Sequence, residues 1–382
     1  MQCDFLVIGA GIAGASAAYE LAGKSKVVVL ERESRPGYHT TGRSAATFIE
    51  TYGNRLMRGL TSAGRAFFTG PPAGFAASPL VSPRGCMLVA TAGQAANLER
   101  EIADSQALSP NVRALDAKAA QKLCPVLRPE ACVLAMLDPD AMDIDVDVLH
   151  QGFLRALRAR GGRVVTDAEV TGLERRHGLW HAATPQGNFA APVLVNAAGA
   201  WADAIAALAG AGRLGLVPKR RTIVAFDPPA GSDIRTWPIV GAAAADWYFV
   251  PQGQRLLGSP EDETPSPPCD AQPDEMDMAI GIDRIETATT LKVRRIAAKW
   301  AGLRSFFADK TIVAGFAPQT DGFFWLAGQG GYGIQTSPAM SRAAAALAQG
   351  RELPQDMRAR GLDAAMLAPT RPSLRQVAEA AH

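Results

Sequence analysis

Residues 4–22, DFLVIGAGIAGASAAYELA, constrain the fold more than any other part of this chain. Phe5 to Ile8 form an apolar run suited to a parallel strand buried on both faces. Gly9, Gly11 and Gly14 follow in G-x-G-x-x-G spacing, and an alanine-rich helical pattern follows them. A second apolar run, Val27 to Leu30, ends at Glu31, twenty positions after Gly11. Gly9 permits a tight turn, Gly11 lets the backbone approach a pyrophosphate, and Gly14 lets helix and strand pack closely. The helix N-terminus offers free N–H groups and a favourable dipole to the anion. The Glu31 carboxylate is placed for ribose hydroxyls. These features predict the opening β-α-β unit of a dinucleotide-binding domain.

At 382 residues the chain exceeds most single domains, which predicts two lobes. A net charge of +2 gives no reason to expect nucleic acid as a partner. The five cysteines, at 3, 86, 124, 132 and 269, are scattered and form no C-x-x-C pair. That argues against a disulfide framework or a metal site and for a reducing compartment. No basic-then-apolar leader precedes the first strand, and the longest apolar passage is interrupted by Asn196 and Asp203. The expectation is a cytoplasmic protein without a transmembrane segment.

A helical pattern from Val148 to Arg160 leads through Gly161-Gly162 into a strand, Arg163 to Thr166, then a hairpin from AEVTGLERR to LWHAATPQG and the apolar strand Val193 to Val195. These continue the nucleotide-binding architecture. Pro- and Gly-punctuated stretches between them read as another, β-rich lobe inserted into the first. The expected fold class is α/β in two lobes: a Rossmann-like nucleotide-binding domain over 1–50, 144–215 and 298–382, and a mainly antiparallel substrate domain over 51–143 and 216–297. The segment Glu261 to Glu275, dense in Pro, Asp and Glu, reads as a solvated connection rather than a lid.

Three further stretches, GYHTTGRSAATF, VNAAGAWAD and LAGQGGYGIQTSPAMSRAAAALA, accompany the opening unit. Together they resemble the FAD-dependent amino-acid oxidoreductases of the D-amino-acid oxidase and dehydrogenase family. With PKRR and WAGLRSF, they look most similar to its bacterial D-arginine dehydrogenase branch. The resemblance implies noncovalent FAD. Gly9, Gly11, Ala13, Gly14, Glu31 and Arg32 would hold its AMP and pyrophosphate portion. Thr41, Arg43, Ser44, Ala45 and Ala46 would run beside the ribityl chain and isoalloxazine, Val170 would contact adenine, and Ala198, Gly199 and Trp201 would cover the cofactor. Gly302 and Tyr332 fall in the same matched motifs. N–H groups of Gly330, Gly331, Gly333 and Ile334, with the positive end of the last helix, would stabilise charge on the reduced flavin's N1–C2=O edge.

The resemblance also implies an amino-acid substrate, with a quinone or another acceptor taking the electrons; the alternatives are D-arginine or D-lysine, a secondary amine or a 2-hydroxy acid oxidised on the same fold and flavin, and, more remotely, a noncatalytic nucleotide-binding subunit. Arg221 and Arg304 would clamp the substrate carboxylate, since a planar guanidinium makes two parallel hydrogen bonds to it. Tyr52 and Tyr248 would add hydroxyls, and the Gly331 backbone carbonyl would orient the amine. No motif supplies a general base; His39 reads as a structural or flavin contact, and Lys219 and Arg220 as surface charge. Cys86 stands where the D-arginine enzymes carry a glutamate for the substrate guanidinium, and Thr47 where they carry a histidine. An uncompensated guanidinium in an apolar pocket is costly, so Cys86, an apolar wall, predicts a neutral D-amino acid. Glu50 reads as a surface carboxylate.

Overall fold

The computed structural model of the protein describes residues 1–374, so 375–382, the tail of the expected 298–382 segment, lie outside the described residues. Five parallel strands, Phe323–Ala327, Val193–Asn196, Phe5–Ile8, Val27–Leu30 and Arg163–Val165, lie side by side in that order, with Val313–Phe316 added antiparallel at one edge. The first strands read as unbroken apolar runs because both faces of the sheet are covered. Phe5, Val7, Val27 and Val29 face a core shared with helices Ile12–Leu21, Val146–Ala159 and Gly333–Ala348. Leu6, Ile8, Val28 and Leu30 face a meander, Gly172–Arg176, Leu179–Thr184 and Gly187–Ala191, and helix Ala202–Leu208.

The second lobe is an eight-stranded sheet in the order Ile296–Phe306, Val217–Phe226, Arg255–Ser259, Tyr248–Gln252, Ile239–Ala242, Cys86–Ala90, Leu134–Asp138 and Arg113–Asp116. Every pairing is antiparallel except that of Ile239–Ala242 with Cys86–Ala90. The two-residue period of strands sorts its side chains. Met87, Val89, Val224, Phe226, Val240 and Phe249 pack beneath, in a core that includes Met278 and Ile285 of helix Glu275–Ala288; Cys86, Ile223, Ala225, Ile239, Val250 and Leu257 face the other way.

Packing departs from the expected boundaries in two places. Strand Ile296–Phe306 runs in the eight-stranded sheet along Val217–Phe226, so that sheet extends past residue 297. Helix Arg55–Thr69 buries Leu56, Met57, Leu60 and Phe68 in the first lobe's core with Met340, although it falls within 51–143. No helix among the described residues is long and apolar enough to cross a membrane.

Candidate active site

A cavity of about 710 Å³ lies between the glycine turns of the first lobe and the upper face of the eight-stranded sheet, within the roughly 300–1,000 Å³ typical of ligand pockets. Gly11 and Ala13 line it from the first turn, and Thr41, Arg43, Ser44, Ala45, Ala46 and Thr47 from the segment after the second strand. Gly199, Gly330, Gly331, Tyr332, Gly333 and Ile334 complete the first-lobe side, and Gly302 lines the cavity from strand Ile296–Phe306 of the eight-stranded sheet. The other expected cofactor residues, Gly9, Gly14, Glu31, Arg32, Val170, Ala198 and Trp201, are not in the cavity wall.

Gly9 and Gly14 shape the turn from behind. Gly9 has a left-handed φ of 98°, and a Cβ on Gly14 would lie 1.9 Å from the Gly9 carbonyl oxygen. Gly11, by contrast, faces Thr41 Oγ1 across the cavity edge, 3.2 Å from where its Cβ would stand. The buried Glu31 carboxylate accepts hydrogen bonds from Ala10 N at 2.8 Å and Glu33 N at 3.0 Å; burial raises its pKa and these bonds oppose the rise. Arg32 stacks 4.8 Å over the Trp201 ring and pairs with Glu33 and Glu169. His39 stacks on the same ring and lies 2.9 Å from Glu33 through Nε2, which makes it a support for this corner.

Arg43 lines the cavity, yet its guanidinium is spent elsewhere. It donates to the carbonyls of Ala271 and Ala301, each at 3.0 Å, and pairs with Asp270. At the last turn, Gly330 has a φ of 53° and would drive a Cβ to within 2.2 Å of the Phe306 ring. Helix Gly333–Ala348 starts there, with the first N–H groups of its N-terminal turn free of intrahelical partners.

Strand register explains how residues distant in sequence meet at the substrate end. Arg221 pairs with Gly302 and Lys219 with Arg304, so Lys219, Arg221 and Arg304 project from one face. Tyr248 is opposite Ser259, and Cys86 is opposite Asp138, on that same face. Arg304 has no carboxylate within 4.0 Å and donates no hydrogen bond among the described residues. A Cβ on Gly331 would lie 3.1 Å from Arg304 Nη1 and 3.6 Å from the Tyr52 hydroxyl. Burial raises the pKa of the Tyr248 phenol, and the charges of Arg304 and Arg221 oppose that rise.

Arg221 is not an open clamp residue. It donates through Nε to the Asp262 carbonyl at 3.0 Å and through Nη1 to Glu261 at 3.3 Å, with Glu263 at 3.8 Å. The segment expected to be a solvated connection is therefore part of the cavity wall, through Glu261 and Glu263. It is tied down because Asp262 accepts from Thr222 N at 2.6 Å and Thr222 Oγ1 at 2.9 Å, while Lys219 reaches Glu263 at 2.7 Å and Arg220 lies 3.7 Å from both Asp262 and Asp274. Lys219 and Arg220 are thus partners of this segment rather than plain surface charge.

Cys86 is buried, and desolvation pushes its thiol up to about 12, so it presents a neutral wall beside Ile223, Ile239 and Val250. Asp138, opposite it, accepts from Thr51 Oγ1 at 3.2 Å and from Asp140 N at 3.1 Å. Glu101 also lines the cavity, and burial raises its pKa. Glu50 turns away to Arg65, 2.8 Å distant.

The profile of the FAD dependent oxidoreductase (DAO) family matches residues 4–347. The chain belongs to that family. FAD-dependent oxidoreductase domain-containing protein 1 of Bos taurus is 26% identical over 411 residues, covering 90% of this chain and 80% of the relative. That relative, rather than a D-arginine dehydrogenase, is what whole-chain similarity brings up, so the likeness to the D-arginine branch rests on the quoted motifs. Glycine oxidase from Geobacillus kaustophilus superposes with a TM-score of 0.81 at 22% identity, covering 92% of this chain and 95% of that one. L-alpha-glycerophosphate oxidase from Mycoplasma pneumoniae, with FAD bound, gives 0.82 at 19% identity over 91% of this chain and 95% of that one.

The residues of this DAO-family chain fit the cofactor. The Gly11 edge, the open helix start at Gly333 and the absence of side chains at Gly330 and Gly331 leave a cradle that any Cβ would narrow. Sequence reading missed Glu261, Glu263, Asp138 and Lys310 in the cavity wall; no local motif marks them, since Asp138 arrives through the pairing of its strand with Cys86–Ala90, and Glu261, Glu263 and Lys310 stand in connections that follow strands of the sheet.

His150 supports the cradle from beneath. Its Nε2 donates to the Ala10 carbonyl at 2.8 Å, and burial lowers its pKa below the ordinary 6.5. A base whose folded pKa is depressed contributes stability above its unfolded pKa and loses it as pH falls through the folded value. Thermal stability and FAD retention are therefore expected to fall below about pH 6.5, and His150→Gln, which keeps a donor, to flatten that fall. Melting temperatures from pH 8 to 5 check this; parallel curves for the two proteins would refute it.

Proposed function

We propose that this DAO-family protein oxidises neutral, predominantly apolar D-amino acids, giving an imino acid that water converts to a 2-oxo acid and ammonia, with a quinone or other acceptor taking the electrons. The observation that carries the reading is Arg304, a guanidinium without an ion-pair partner among the described residues, beside Gly331 in a cavity whose wall includes the apolar group Cys86, Ile223, Ile239 and Val250 as well as the carboxylates of Glu101, Asp138, Glu261 and Glu263. FAD, when bound along Gly11, residues 41–46 and the last glycine turn, supplies the acceptor for a hydride from the substrate Cα. Arg304 holds the carboxylate with two parallel bonds, and the Tyr52 hydroxyl closes over it. The Gly331 carbonyl accepts from the amine and fixes its orientation toward the cofactor turn. Ile223, Ile239, Val250 and Cys86 receive the side chain and exclude water. Preference for the D-enantiomer rests on the family resemblance.

Anaerobic bleaching of the flavin absorbance by D- and L-leucine, D-methionine, D-phenylalanine, D-arginine, glycine and sarcosine tests this. Fast bleaching by neutral D-amino acids, with D-arginine at least tenfold slower, is expected. Fast bleaching by D-arginine would overturn the argument from Cys86, and faster bleaching by L-leucine the assignment of chirality.

A further inference from the structure

The carboxylate clamp leaves Glu261 unexplained. Its backbone is left-handed, with a φ of 53°, a conformation that a residue with a Cβ keeps only where its surroundings impose it, and one that concentrates at functional sites. Here the surroundings are Ser259 Oγ, which accepts from Glu261 N at 3.2 Å, and the neighbouring Asp262, locked by both donors of Thr222. The result is a carboxylate in the cavity wall beside Tyr248 and Arg304.

That carboxylate is only partly used. Arg221 Nη1 reaches Oε2 at 3.3 Å, a long contact, and Oε1 carries no hydrogen bond among the described residues. Glu263, by contrast, is shared by Lys219 at 2.7 Å, Lys310 at 3.5 Å and Arg221 at 3.8 Å. A carboxylate has room for about four hydrogen bonds. The cavity thus presents an open cation, Arg304, and beside it an anion with spare acceptor capacity, Glu261; Glu101 and Asp138 also stand in the wall with acceptor capacity to spare, but Glu261 is the carboxylate whose charge acts on Arg304. An α-amino acid zwitterion carries the complementary pair of charges, a carboxylate and an ammonium on one carbon.

We propose that Glu261 receives the substrate's α-ammonium while Arg304 holds its carboxylate, and that Glu261 thereby selects amino acids over 2-hydroxy acids of the same skeleton. Arg221 then serves to hold the Glu261 side chain in place. The inference rests on the reading that Arg304 binds a substrate carboxylate, and it bears on a choice the fold leaves open, since one neighbour is a glycine oxidase and another a glycerophosphate oxidase. A hydroxyl can donate only one neutral hydrogen bond to Oε1, so it gains less from this carboxylate than an ammonium does.

The test uses FAD-loaded protein and three matched ligands: D-leucine, 2-hydroxy-4-methylpentanoate and 4-methylpentanoate, which lacks any group at Cα. Dissociation constants for 4-methylpentanoate come from flavin absorbance shifts, and half-saturation for the other two from anaerobic bleaching. Glu261→Gln is expected to weaken D-leucine at least tenfold, to leave 4-methylpentanoate within twofold, and to narrow the preference for D-leucine over the hydroxy acid; Glu261→Asp should restore part of it. Equal weakening of D-leucine and 4-methylpentanoate, or no weakening of D-leucine, would overturn the role of Glu261. If the Arg304→Ala variant binds 4-methylpentanoate as tightly as the parent does, the underlying carboxylate reading fails instead.

Discussion

Arg304→Ala is expected to lower kcat/KM for a neutral amino acid by roughly two to three orders of magnitude while FAD stays bound at full stoichiometry. Truncating one partner of a desolvated, hydrogen-bonded charge pair costs about 2–5 kcal/mol, and each 1.36 kcal/mol is a factor of ten in rate. Arg304 belongs in the middle of that range: no carboxylate lies within 4.0 Å of it among the described residues, so the substrate would be its first direct ion-pair partner, while Glu261 acts on it from further along the wall. Arg304→Lys should recover only part of the loss, since an ammonium cannot make the paired parallel contacts of a guanidinium. Arg221→Ala should behave differently. It strips Glu261, Glu263 and the Asp262 carbonyl of a shared donor, so its first effect should be a lowered melting temperature. Stopped-flow reduction under nitrogen, with the FAD-to-protein ratio read from absorbance, separates these outcomes. An Arg304→Ala protein that keeps its rate within fivefold would remove the residue from the site.

The contrast between the two arginines also marks where sequence reading stops. Both lie in apolar strands within motifs that resemble the same family, and nothing local distinguishes them. What separates them is the segment after Ser259, laid along Val217–Phe226 so that Asp262 meets Thr222 and Glu261 meets Arg221. Its Pro, Asp and Glu content suits a solvated loop, and those charges are satisfied only because the neighbouring strand supplies Thr222, Lys219 and Arg220. Long-range strand register is not encoded in any short window. The nucleotide lobe was far more legible. The helix expected over Val148 to Arg160 is Val146–Ala159, and the strand expected over Arg163 to Thr166 is Arg163–Val165. There, full burial makes each parallel strand an apolar block, and the glycines have a geometric task that few other residues can perform. Helices Arg55–Thr69, Ala117–Leu123 and Glu275–Ala288 escaped that reading although Asn54, Asp116 and Asp274 cap their first turns. These cap signals stand in stretches rich in turn residues and are easily absorbed into loops.

The glycines of the first turn divide their labour between packing and binding, and a pair of variants should separate the two. A Cβ on Gly14 would lie 1.9 Å from the Gly9 carbonyl oxygen and 3.3 Å from Val7 Cγ1. The nearer obstacle is backbone and cannot rotate away, so Gly14→Ala must push the helix off the sheet. Overpacking of this kind costs about 1–3 kcal/mol or more, and the displaced helix start also loses its place beneath the cofactor. Gly11 has an ordinary φ of −70° and stands at the N-cap of the same helix. Its added Cβ would meet only Thr41 Oγ1, at 3.2 Å, on the cavity edge. Gly11→Ala should therefore leave the apoprotein's melting temperature close to that of the parent, helped by the lower entropy of its unfolded chain. Its FAD affinity should nevertheless fall at least tenfold, because the methyl group occupies the approach that a pyrophosphate needs. Apoprotein melting curves and flavin titration by fluorescence read the two effects independently. If Gly11→Ala unfolds as readily as Gly14→Ala, or Gly14→Ala binds FAD like the parent, then the turn does not separate these roles.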